Sequence, residues 1–230
     1  MESNFKILLS LVVAIILGSC SYPSVPTQNL PRDAFMQVRV NLLYRNIDTP
    51  EVGWGESAGL GSGVVIHENR LNSYVLTAAH VCNDDAELFS DVSIKTIVVS
   101  NWHGETEEGH VVAIDLINDL CIIKTGRMNV SPVRISNKIP KEGERIYNLA
   151  APYGIFGDNF ILTFEGFIAG DVGNEIIYTI PTGPGSSGSP IFNKNGQLIG
   201  IIHSSSTMME TMAVGTGSFY VHKLLESIKN

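Results

Sequence analysis

The chain has 230 residues, 44% hydrophobic and 17% charged, enough to bury one sizeable core or two smaller ones that share a cleft. Its formal net charge of -8 argues against a nucleic-acid partner, which would require a basic stripe. No Cys/His cluster has zinc spacing, so neither a metal nor a cofactor is expected.

In chain order, Lys6 precedes an apolar run from Ile7 to Leu17 that is too short to span a bilayer comfortably and fits the core of a secretory signal. The run ends in Leu17-Gly18-Ser19-Cys20, which resembles the bacterial lipobox. That resemblance implies cleavage before Cys20, lipidation of Cys20 and a membrane anchor at the periplasmic face of the cell envelope. An ordinary cleaved signal is the alternative. Residues 1–19 are thus read as a signal peptide, and the Ser- and Pro-rich stretch to residue 35 as a linker. The domain runs over 36–230, in two halves at about 36–135 and 136–230.

If Cys20 carries lipid, Cys82 and Cys121 remain as a pair in an oxidising compartment. Cys82 lies two residues after His80, and Cys121 two after Asp119. A bridge and two buried free thiols are both open readings.

Short β-rich runs separated by Gly, Asn and Asp follow the linker. The expected strands are 36–43, 61–66, 73–78, 92–100, 110–114, 120–124, 144–150, 160–168, 175–180, 190–192 and 198–203. Many brief strands with turn signals between them imply a barrel or sandwich. Asn193-Lys194-Asn195-Gly196 reads as a hairpin turn. Val221, Leu224, Leu225 and Ile228 have the spacing of one helical face, predicting a helix after the last strand.

Three segments carry candidate chemistry. A serine hydroxyl is a weak nucleophile that needs a base within hydrogen-bond reach, and the base needs a partner to fix its tautomer. His80, after the apolar run Tyr74-Val75-Leu76 and the small residues Thr77-Ala78-Ala79, is the candidate base. Asp119 opens the apolar run Leu120–Ile123 and would be costly there without a hydrogen bond, so it is the candidate orienter. Asp115 is its rival, with a turn role expected. Ser187, within Gly185-Ser186-Ser187-Gly188-Ser189-Pro190, is the candidate nucleophile, with the amides of Gly185 and Ser187 as the oxyanion hole. Ser186 and Ser189 are read as bystanders.

With these residues in place, the chain resembles a trypsin-like serine peptidase of the chymotrypsin fold over about residues 36–230. The segments GSGVVI, YVLTAAHV, DLCIIK, GPGSSGSP and GQLIGI carry the likeness, in the order His, Asp, Ser. The resemblance implies an all-β fold of two antiparallel six-stranded barrels with a C-terminal helix. It also implies a triad in the cleft between them and an acyl-enzyme route acting on protein or peptide substrates. Ser186 stands where animal digestive proteases carry an aspartate that receives a freed N-terminus, and no IVGG-like start is present. Activation by N-terminal insertion is therefore not expected, and the HtrA-type or glutamyl-endopeptidase branch fits better. HtrA relatives often carry a PDZ domain; this sequence shows none, so chaperone-like assembly is not expected.

The family pattern places the first substrate pocket at Thr182, His203 and Gly217. It shows no acidic residue at the pocket base, against a preference for Lys or Arg. Thr182 and His203 resemble the pair by which glutamyl endopeptidases hold a carboxylate, but His203 falls one residue out of register, and a half-buried strand residue is the alternative. A barrel that binds or scaffolds at the cell envelope without catalysis is the alternative to the enzyme as a whole.

Overall fold

Alternation sets the first strand: in Val38-Arg39-Val40-Asn41-Leu42 the apolar residues are buried and the polar ones exposed, as a sheet with one wet face requires. The computed structural model describes residues 30–45, 54–82, 92–138, 140–205 and 211–228. The signal segment, Cys20 and the linker up to residue 29 lie outside these residues.

Six strands form a closed antiparallel barrel: β1 (Phe35–Arg45), β2 (Trp54–Glu68), β3 (Asn72–Thr77), β4 (Val92–Asn101), β5 (Thr106–Asp115) and β6 (Leu120–Gly126). Their order around the barrel is β1-β2-β3-β6-β5-β4, closed by β1 against β4. A one-turn helix, Ala79–Cys82, follows β3 and was not foreseen in the sequence. At four residues it is too short for hydrophobic periodicity to register.

The second half contains β7 (Arg145–Ala150), β8 (Phe156–Gly157), β9 (Phe160–Val172), β10 (Glu175–Tyr178), β11 (Pro190–Phe192), β12 (Leu198–Ser205) and β13 (Ala213–Gly217). Its order is β10-β13-β12-β11-β7-β9-β8, and β9 also pairs with β10. That extra pairing closes a second six-stranded barrel, with β8 attached to β9 as a two-residue hairpin arm. The architecture is therefore all-β, two closed six-stranded antiparallel barrels, as expected. β8 and β13 escaped the sequence reading. The first is only two residues long, and the second, Ala-Val-Gly-Thr-Gly, carries two glycines that weaken any strand signal.

The Asn-Gly turn forms between β11 and β12, with the Gly196 amide donating to the Asn193 carbonyl. The C-terminal helix, Ser218–Ser227, buries Val221, Leu224 and Leu225. These join Leu120, Leu198 and Ile201 in one apolar cluster that spans both halves. Each such side chain contributes roughly 1.5–3 kcal/mol on burial. A second cluster, including Ile146, Tyr178, Ile191 and Ile202, fills the interior of the second barrel. The halves are also tied at their rims, where the Asn159 amide of the β8–β9 turn donates to the Trp102 carbonyl and Phe156 packs on Phe35.

Candidate active site

His80 sits in the one-turn helix, with its ring about half exposed. β3 and β6 are adjacent and antiparallel, with Thr77 opposite Cys121, so the end of one strand meets the start of the other. That register carries Asp119 to His80. The carboxylate accepts twice from it: Oδ2 lies 2.7 Å from Nδ1, and Oδ1 receives the His80 main-chain N–H at 2.9 Å. Burial alone would raise the Asp119 pKa. The hydrogen bonds from His80, with the nearby His80 and His203 imidazoles, outweigh it and hold the carboxyl below its ordinary value. The same register joins Cys82 to Cys121 in a disulfide, with Cα atoms 6.5 Å apart.

Asp119 adopts a left-handed backbone, φ 50°. Asp tolerates that region better than most residues, but at some cost, so its surroundings must hold it there. Asp115 closes the turn ahead of it by accepting from the amides of Ile117 and Asn118 and from the Asn118 side chain. The second barrel grips the same turn. Thr216 Oγ1 donates to the Asn118 carbonyl at 2.6 Å, and Asn174 Nδ2 to Asn118 Oδ1 at 2.8 Å. Neither Thr216 nor Asn174 was marked in the sequence, because partners 56 and 98 residues away leave no local pattern; the turn role of Asp115 was expected.

Ser187 lies on the loop between β10 and β11. Gly188 has φ 82°, and a β-carbon there would collide with the Ser62 carbonyl and Thr77 Oγ1 and lie 3.0 Å from the Ala78 amide nitrogen. Only glycine allows the loop to seat so closely against the segment that carries His80. No hydrogen bond joins the Ser187 hydroxyl to another group among the described residues. Such contacts are often long before substrate binds.

The peptide planes of this loop are fixed through their carbonyls. Pro184 C=O accepts from the Tyr153 amide, Ser186 C=O from the Ser189 amide, and Ser187 C=O from the Ser62 amide. In a trans peptide the N–H points away from the C=O. The Gly185 and Ser187 N–H groups therefore face away from these anchors, and neither donates a hydrogen bond among the described residues. Gly185 has φ 94°, a left-handed position that suits glycine.

The family described as trypsin-like peptidase domain matches residues 61–201. The chain belongs to that family. A probable periplasmic serine endoprotease, DegP-like, of Halomonas elongata is 28% identical over 151 residues, which cover 64% of this chain and 29% of that protein. The serine protease PepD of Mycobacterium tuberculosis is 25% identical over 205 residues, 84% of this chain and 43% of that protein. The chain thus spans less than half the length of these curated relatives. Among solved structures, the serine endoprotease from Yersinia pestis superposes with a TM-score of 0.65 at 22% identity, covering 90% of this chain and 66% of the other. An M. tuberculosis protease in its active form gives 0.66 at 16%, covering 88% and 83%. These two likenesses bear on the fold.

Of the residues expected at the substrate pocket of this trypsin-like domain, Thr182 lies on the loop between β10 and β11, His203 on β12 and Gly217 at the end of β13. Thr182 Oγ1 is buried without a hydrogen-bond partner among the described residues. His203 follows the buried run of β12, at a bulge between Ile202 and Ser204. Burial holds its pKa below the ordinary value, against the charges of Asp119 and Glu175. Gly217 lines a cavity of about 480 Å³ together with Asn174, Glu175 and His222, and neither Thr182 nor His203 lines that cavity. Among the described residues, no helix is long and apolar enough to cross a membrane.

Proposed function

We propose that this trypsin-like domain is a serine endopeptidase that works through Ser187, His80 and Asp119 and an acyl-enzyme intermediate. The observation that carries the reading is the doubly hydrogen-bonded His80–Asp119 pair beside a loop whose Gly185 and Ser187 amides are unspent. Ser187 Oγ attacks the scissile carbonyl as its proton passes to His80 Nε2. The C=O electron pair moves onto oxygen, where the two amides receive it. Collapse expels the amine, which takes the proton from His80, and leaves the acyl group on Ser187. Water, deprotonated by His80, then attacks the ester and releases the acid and free Ser187. Asp119 holds the imidazole with Nδ1 protonated and stabilises the imidazolium.

The named relatives are serine proteases, and one is called a probable periplasmic endoprotease, which supports action on protein or peptide substrates at the cell envelope. Cys20 is the proposed lipid attachment site, and Thr182, His203 and Gly217 the proposed pocket wall.

A fluorophosphonate probe should label the wild-type chain and leave Ser187→Ala unlabelled at an unchanged melting temperature. Equal labelling of the two would remove Ser187 from its role, and an unlabelled wild type would remove the peptidase reading.

A further inference from the structure

One residue outside the proposed triad is hydrogen-bonded to both ends of the Gly185–Ser187 turn. Ser62 lies on β2 in the first barrel, fully buried. Its hydroxyl donates to the Gly185 carbonyl at 2.8 Å and accepts from the Ala151 amide at 3.2 Å. Its own amide donates to the Ser187 carbonyl at 2.7 Å, and its carbonyl accepts from Thr77 Oγ1 at 2.7 Å. One residue therefore links β3, the segment after β7 and both ends of the Gly185–Ser187 turn.

We infer that the Ser62 hydroxyl is a positioning residue for the anion-binding amides. The inference rests on the peptidase reading above. Gly185 has no side chain by which packing could set its two peptide planes, so hydrogen bonds must set them. The plane before it is held where Tyr153 N–H meets the Pro184 carbonyl, and the plane after it where Ser62 Oγ–H meets the Gly185 carbonyl. Ala151 and Tyr153 belong to one short segment, and Ser62 Oγ also holds that segment through the Ala151 amide. A single hydroxyl thus fixes one plane directly and steadies the anchor of the other, and the direction of the Gly185 N–H follows from both. Ser62 touches no reacting atom; it acts through the peptide that does.

The hole is used where negative charge develops, so a defect in its shape should appear in the transition state and spare ground-state binding. Ser62→Ala removes the hydroxyl. Ser62→Cys keeps the side-chain shape with a somewhat larger atom but offers only a weak donor, and it serves where alanine fails to fold. In either folded variant kcat should fall about tenfold or more, approaching the roughly 10²–10³ of a lost direct donor, with KM little changed. Affinity for a peptide aldehyde, which forms a tetrahedral adduct on the nucleophile, should fall in the same proportion as kcat/KM. The acid limb of the pH profile should stay in place, since the His80–Asp119 pair is untouched. Wild-type kcat and aldehyde affinity in a cooperatively melting Ser62→Cys would overturn the inference while leaving the peptidase reading intact. So would a rise in KM that accounts for the whole loss. A wild-type chain that binds no aldehyde and takes no fluorophosphonate would instead overturn the peptidase reading itself.

Discussion

Asp119 shows how a few atoms decide a site. Its backbone is left-handed, its carboxylate is partly buried, and it accepts two hydrogen bonds from the same histidine. The net effect is a pKa below the ordinary carboxylate value. The sign of the pH dependence follows. Ionised Asp119 stabilises the folded state at pH values above its unfolded pKa, and that contribution is lost as pH falls through the lowered folded value. Asp119→Asn should therefore lower the melting temperature at neutral pH and narrow the gap from wild type on acidification, as thermal melts across that range would reveal. By holding the wrong tautomer it should also cut kcat by about 10⁴. That Asp119 rather than Asp115 meets His80 was legible, because only Asp119 abuts the buried run Leu120–Ile123. The positioning roles of Ser62, Asn174 and Thr216 were not, although Ser62 stands in plain view in the segment GSGVVI. Hydroxyls and amides gain such roles from partners far along the chain, and sequence spacing carries no trace of them.

At the scale of elements, the one-turn helix and β6 are stitched by the Cys82–Cys121 bond. The bond closes a loop across a sequence separation of 39, a size for which cross-linking the unfolded chain stabilises by about 3–4 kcal/mol. A double Cys82→Ala, Cys121→Ala variant should lose about that much in chemical denaturation, and reduction of the wild type should lose a similar amount. Whether the two thiols would bond was open from the sequence; the β3–β6 register decides it. Strands β1, β6 and β9 were readable from their apolar content. β2 and β5 run beyond their expected limits because barrel neighbours supply hydrogen-bond partners to residues with little strand preference of their own. A similar limit hid β8 and β13.

For the molecule as a whole, the decisive feature is that the proposed site draws on both barrels. The first supplies His80 and Asp119, the second Ser187, and the turn before Asp119 is gripped from the second barrel by Thr216 and Asn174. Asn174→Ala should cost about 1 kcal/mol of stability. It should also lower kcat several-fold with KM little altered, since the loss is one of aim. Steady-state kinetics beside a denaturation curve would separate the two effects. An unchanged kcat would show that the grip is only structural.

The position of β13 has a consequence for how such a chain is made. Thr216 lies 29 residues beyond Ser187, on a strand that pairs with both β10 and β12. A chain still emerging from the ribosome can therefore carry Ser187, the proposed nucleophile, before the turn ahead of Asp119 is gripped. On the proposed reading, full alignment of the three catalytic side chains waits until almost the last strand is in hand.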